Sequence, residues 1–209
     1  MDRKPVSVKS YANIAIVKYW GKADAERMIP STSSISLTLE NMYTETKLSF
    51  LPEDATGDVM YIDDELQGEK ETTKASKVLD LFRTNPNQHV KIETCNNMPT
   101  AAGLSSSSSG LSALVKAANE LFQVGKTQSE LAQIAKFASG SSSRSFFGPL
   151  AAWDKDSGEV YQVETDLKLA MIMLVLTDQK KPVSSRDGMK LCTETSTSFP
   201  EWIKQSEQD

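Results

Sequence analysis

One stretch, residues 99–110 (PTAAGLSSSSSG), constrains this chain more than any other. It lies between a strand-like segment, QHVKIETC (88–95), and an apolar helical one, LSALVKAANELF (111–122). A strand that runs through small residues into a helix lets the main chain approach a ligand closely, and Gly103 allows backbone conformations closed to other residues. A helix beginning near Ser106 offers unpaired N–H groups and the positive end of its dipole, which together suit a phosphate group. The backbone of Ala101, Ala102, Gly103 and Leu104 would line such a loop. Hydroxyls of Ser105, Ser106 and Ser107 could add hydrogen bonds, and Ser106 or Ser107 a magnesium ligand. A flexible serine linker is the plain alternative, but linkers are not pinned between a strand and so apolar a helix. The glycine is not followed by Gly-Lys-Ser/Thr, so this is no Walker loop. Nor are three glycines spaced as in a Rossmann fingerprint.

The rest of the chain gives strands first and last with helices between, an α+β pattern without internal repeats. Strands are expected over 5–17, as one or two pieces over 33–51, at 60–62 and over 88–95. Residues 150–153 and 159–163 read as a hairpin, and 169–177 as a buried strand. Helical spacing covers about 73–83, 129–139 and 185–193. A boundary near 164–168 divides the chain into residues 1–165 and 166–209, the second part being only the beginning of a domain; the chain is expected to be a truncation.

Two more segments carry chemistry. In ANIAIVKYWGK (12–22), Lys18 and Lys22 flank Tyr19 and Trp20, with Gly21 allowing a turn. Ammonium groups and a phenol are fitting donors for a diphosphate; the plainer reading is a strand end with solvated lysines and a core tryptophan. In ASGSSSRSFFG (138–148), Arg144 follows a serine run after a helix. A planar guanidinium can grip a carboxylate with two parallel hydrogen bonds, which a lysine cannot.

These segments and VSSRDGM (183–189), taken in order, resemble the mevalonate diphosphate decarboxylases of the GHMP small-molecule kinase superfamily. The resemblance implies a two-layer α+β N-terminal domain of the ribosomal protein S5 domain 2 type, followed by the start of a second α+β domain. It implies ATP-dependent decarboxylation of mevalonate 5-diphosphate to isopentenyl diphosphate, with ATP and Mg2+, in a cytoplasmic homodimer. Substrate binding falls on Tyr19, Trp20, Gly21, Lys22, Ser139, Gly140, Ser141, Ser142, Ser143, Arg144, Ser185 and Arg186. Arg144, Ser185 and Lys18 are the expected catalytic groups, and Lys74 stands where relatives place an arginine for the diphosphate. The family also uses an aspartate in an Asp-Ala-Gly-Pro segment that these residues do not contain; Asp154, Asp156, Asp178 and Asp187 lie in other contexts. A sister enzyme such as phosphomevalonate kinase, or a non-catalytic phosphate-loop module, would share much of this pattern.

Composition excludes other classes. A net charge of −5 makes non-specific nucleic-acid binding unexpected. The longest apolar run, 169–176, is too short to cross a bilayer. Cys95 and Cys192 have no zinc or disulfide spacing, and a single histidine, His89, nearly removes histidine-based catalysis.

Overall fold

The computed structural model describes residues 4–98, 106–172, 174, 183–206 and 208, without the side chains of Ser106 and Arg186. Its spine is β4 (Ser34–Phe50), a single 17-residue strand. β1 (Val6–Val17) runs antiparallel along one edge of it, from Val6 opposite Leu48 to Val17 opposite Ile35. Between Tyr11 and Ala12 the register jumps from Tyr43 to Leu39, so residues 40–42 bulge out of β4. The other edge of β4 is shared. Residues 44–50 pair with β7 (Val90–Asn96), and residues 34–37 pair with β8 (Leu150–Trp153). β9 (Val160–Val163) completes the hairpin with β8. β5 (Val59–Ile62) adds in parallel to β7 and folds back through Asp63 and Asp64, both at positive φ, into β6 (Glu65–Leu66). A separate small hairpin joins β2 (Lys22–Asp24) to β3 (Ile29–Pro30).

Three helices cover one face of this sheet. α1 spans Glu69–Leu79, α2 Ser106–Leu121 and α3 Gln128–Ala138. Their apolar sides bury Leu79, Leu114, Val115, Leu121, Leu131 and Ala135 against Leu48, Val90 and Ile92 of the sheet. Alternation along β4 sends Ser34, Ser36, Thr44 and Thr46 to the same side, all fully buried. Leu37 and Leu39 face the other way, with Ala12, Met98 and Leu150. α3 starts at a capping box, in which Thr127 accepts from the Glu130 N–H and Glu130 returns a bond to the Thr127 N–H. A 3₁₀ helix, Gly140–Phe146, follows α3 directly, and α4 (Ser185–Thr195) and α5 (Phe199–Gln205) close the chain. The α+β class read from the sequence is the class observed.

Several expectations are corrected. The helix placed at 73–83 is α1, which begins earlier because Glu69 and Glu71 suit a helix N-terminus and Gly68 precedes it. The 3₁₀ helix, the small hairpin, β6 and α5 were not expected. The buried strand at 169–177 is not found in its described part: residues 169–172 form no strand, and Ile172 and Leu174 are 85% and 84% exposed. No described strand pairs with them, so apolar sequence alone did not make a strand there.

Candidate active site

Tyr19 and Arg144 meet where the end of β1, β4, β8 and the 3₁₀ helix converge. Arg144 is 2% exposed. Its Nε donates to Ser36 Oγ at 3.0 Å and its Nη1 to Ser34 Oγ at 2.9 Å. Both hydroxyls sit on β4 two residues apart, on the face that alternation turns toward the helices. The guanidinium carbon lies 5.7 Å from the centre of the Tyr19 ring. No carboxylate pairs with Arg144 among the described residues. Burial pushes its pKa down to about 10, partly opposed by Tyr19, and it stays a cation at neutral pH. A buried, always-charged fork whose Nη2 has no partner among the described residues is suited to an anionic ligand.

Around this pair the fit is tight. Tyr19 packs edge-on against Trp153, with ring centres 4.8 Å apart. A Cβ at Gly140 would lie 2.7 Å from Trp153 and 2.8 Å from the Tyr19 hydroxyl, so only glycine opens the 3₁₀ helix here. Ser143 turns its hydroxyl back onto the Gly140 carbonyl at 2.8 Å. Ser139 and Ser141 lie hydroxyl to hydroxyl at 3.3 Å and are half-buried, whereas Ser142 is buried with no partner for its Oγ among the described residues.

The lysines lie on the turn after β1. Lys18 stacks its ammonium over Trp20, 5.3 Å from the ring centre. Lys22 donates to the Met28 sulfur at 3.1 Å across the small hairpin. Gly21 has φ +87, and a Cβ there would meet Phe199 at 2.8 Å, so α5 packs directly on this turn. Gly188 of α4 approaches Trp20, and Met189 packs against Tyr19, Trp153 and Val160. Ser185, at the start of α4, is exposed; its helix is capped by Ser184, which accepts from the Asp187 N–H at 3.1 Å. Arg186 is in α4, with its side chain outside the description. Lys74 is on the exposed side of α1, ion-paired with Glu71 at 2.8 Å, and touches none of these groups.

Of the loop residues, Ala101, Ala102, Gly103, Leu104 and Ser105 lie outside the described residues. α2 does begin at Ser106, with no acidic residue in its first turn to oppose a phosphate. The serine run divides. Ser107 is exposed, while Ser108 and Ser109 are buried. Ser109 pairs with Thr44 at 2.7 Å, and Ser108 lies 3.5 Å from the Asn13 amide. Asn13 was missed in the sequence. From β1 its Nδ2 donates to Ser145 Oγ at 2.8 Å and the Ser141 carbonyl at 3.0 Å, and its buried Oδ1 has no partner among the described residues. A lone amide between Ala12 and Ile14, in an otherwise apolar run, was the available signal. Among the described residues no group of His, Cys, Asp and Glu could hold a metal ion, and no helix is long and apolar enough to cross a membrane.

Comparison with known proteins gives the family of the chain. The family model of the diphosphomevalonate decarboxylase-like N-terminal domain matches residues 10–164. The diphosphomevalonate decarboxylase of Saccharomyces cerevisiae is 36% identical over 221 residues, covering 95% of this chain and 56% of the relative. The structure of mevalonate pyrophosphate decarboxylase from Streptococcus pyogenes superimposes with a TM-score of 0.93 at 66% identity, over 99% of this chain and 66% of that one. A structure described as MDDEF in complex with MVAPP, AMPPCP and magnesium has a TM-score of 0.81 at 36% identity, over 98% of this chain and 66% of that one. This chain therefore spans a little over half the length of the curated relative. With a family match across most of its sequence, on a fold that superimposes nearly end to end, the chain belongs to the diphosphomevalonate decarboxylase-like N-terminal domain family.

Proposed function

We propose that this chain provides the substrate-gripping part of an ATP-dependent decarboxylase acting on mevalonate 5-diphosphate. The observation that carries the reading is Arg144, a buried cation with no carboxylate partner among the described residues, held by Ser34 and Ser36 beside Tyr19. In this reading Arg144 grips the carboxylate that leaves as CO2. Tyr19, Lys18 and Lys22 hold the 5-diphosphate from the turn after β1, with Trp20 and Gly21 shaping that turn. Ser139, Gly140, Ser141, Ser142 and Ser143 form the wall beneath it. Ser185 and Arg186 approach from α4, and Lys74 joins only by exchanging Glu71 for phosphate.

The nucleotide belongs at the head of α2. A helix start without acidic residues fits the phosphates of ATP, and residues 101–107 are the segment we assign to binding them. Mg2+ would be held by phosphate oxygens and water, with Ser106 or Ser107 as the protein ligand, and would neutralise charge on the transferred group. The C3 hydroxyl of the substrate takes the γ-phosphoryl group, releasing ADP. The bond from C2 to the carboxylate carbon then breaks, its electron pair forms the new double bond to C3, and phosphate departs from C3. What these residues contribute is alignment and fixed positive charge, positioned before reaction. We further propose that residues 1–165 form one domain and residues 166–209 begin a second, in a cytoplasmic homodimer.

The test is release of ADP and CO2 from mevalonate 5-diphosphate with Mg-ATP, measured on this chain and on a chain continued through a second domain. CO2 release in the longer chain supports the reading. A stable phosphorylated product without CO2 favours a sister kinase, and nucleotide binding without turnover in either chain favours a binding module.

A further inference from the structure

Lys116 is a half-buried cation that this reading leaves without a task. α2 presents Ser108, Ser112 and Lys116 four residues apart, hence on one stripe. The Lys116 ammonium donates to Ser10 Oγ at 3.1 Å and to the Ser145 carbonyl at 3.3 Å. It also sits 4.8 Å from the centre of the Phe146 ring. Ser10, on β1, lies hydroxyl to hydroxyl with Ser112 at 2.7 Å, and Ser112 is within reach of the Ser108 and Ser109 carbonyls at 2.8 and 3.0 Å. Ser145 is thus held three ways: its carbonyl by Lys116 and, at 3.4 Å, by the Ser10 hydroxyl, and its own hydroxyl by Asn13 at 2.8 Å.

Ser145 is the residue after Arg144. The side chain of Arg144 is fixed from β4, and the main chain just beyond it is fixed from α2 and β1. No acidic group balances Lys116 among the described residues, and burial alone moves its pKa down to about 8. A methionine would fill the same space without that electrostatic cost. What a methionine lacks is the donor to the Ser145 carbonyl.

We propose that Lys116 is a positioning residue: its ammonium clamps the Ser145 carbonyl and fixes the Arg144-bearing 3₁₀ helix to α2, the helix whose first turn faces the nucleotide. The clamp keeps the two ends of the substrate pair in register. Its ligands rest on the function proposed above, but the clamp itself is a property of the free chain.

Amide hydrogen exchange on the whole ligand-free chain tests it. In Lys116→Met, residues 140–147 should exchange about tenfold faster or more, the loss of one charge-assisted hydrogen bond. α3 should keep its protection, and the melting midpoint should not fall. Ser10→Ala, which removes the neighbouring leg, should loosen the same residues to a smaller degree. Unchanged exchange at 140–147 in both variants overturns the clamp. So does exchange rising evenly throughout α2 and α3 with a lower midpoint, which would mean that Lys116 supports the helix layer as a whole and does not clamp residues 140–147 in particular. Titration with mevalonate 5-diphosphate and with ADP adds a second reading: Lys116→Met should weaken the first about tenfold and spare the second. If the wild-type chain binds neither, the function proposed above fails, while the exchange result still decides the clamp.

Discussion

The guanidinium of Arg144 donates from Nε to the hydroxyl of Ser36 at 3.0 Å, joining residues 108 apart in the chain. Ser34 takes Nη1 from the same strand, so two neutral hydroxyls hold a full positive charge without neutralising it. A carboxylate in either place would occupy the fork that a ligand needs.

Arg144→Lys should therefore keep the charge but lose the fork. A lysine ammonium cannot hold Ser34 and Ser36 and present two parallel donors as well. Affinity for mevalonate 5-diphosphate should fall by about 2 kcal/mol, roughly thirtyfold in Kd. Calorimetric titration checks this, and an unchanged Kd would remove Arg144 from the site.

Gly140→Ala tests the packing beneath that site. The added methyl would lie 2.7 Å from the Trp153 ring, and Trp153 is fully buried and cannot retreat. Overpacking of this kind costs about 1–3 kcal/mol. The melting midpoint should fall by several degrees, at about 2–4 °C per kcal/mol for a chain of this size. A midpoint within one degree of wild type would show that the 3₁₀ helix can shift aside.

Much of this fold was legible because its long strands alternate and its helices keep their period. β1, β4 and the β8–β9 hairpin lie where the pattern placed them. The 3₁₀ helix was not legible, since GSSSRSF has no apolar period and reads as a loop. Its order comes from outside, through Asn13, Ser34, Ser36 and Lys116. The segment at 169–172 failed in the opposite way: its apolar residues read as a core strand, but a strand also needs a neighbour to take its backbone hydrogen bonds. In the serine run, periodicity could have separated roles. Ser108 and Ser112 share the stripe of Lys116 and turn inward, leaving Ser107 at the surface.

Away from the site, Asp58 ties α1 to the sheet and sets the response to acid. It accepts from Arg83 Nη2 at 2.6 Å, Ser76 Oγ at 2.6 Å and the Val90 N–H at 2.9 Å, and its side chain is 2% exposed. Burial pushes its pKa up, but the bonds from Arg83, Ser76 and Val90 and the Arg83 charge outweigh it and hold the carboxyl below 3.8. A depressed folded-state pKa stabilises the fold above the unfolded value and loses that effect as pH falls through the folded value. Asp58→Asn should cost about 3 kcal/mol at pH 7, because it removes the buried anion of Arg83 and leaves only the exposed Asp80, 2.9 Å from Nε. The gap from wild type should close as pH drops below about 4. Denaturant unfolding across pH 2–7 (roughly the acid range that matters here) reads both, and a gap that stayed constant would mean that Asp58 is not the titrating partner.

Lys116 should act oppositely at neutral pH, costing stability where Asp58 supplies it. Its pKa lies at about 8 in the folded chain, against 10.5 for an ordinary lysine, because burial disfavours its charge. Below about pH 8 both folded and unfolded chains carry the proton, and the folded state bears the whole penalty. Between about 8 and 10.5 the unfolded chain binds more protons, so the penalty is released and stability from this group rises with pH. Lys116→Met removes the penalty outright and should be more stable than wild type at pH 7, by at most about 3 kcal/mol. That advantage should shrink steadily toward pH 10. Comparing the two proteins at each pH isolates Lys116, since every other titrating group is common to both. A variant less stable than wild type at pH 7 would mean that the bonds to Ser10 and Ser145 outweigh the cost of burying the charge.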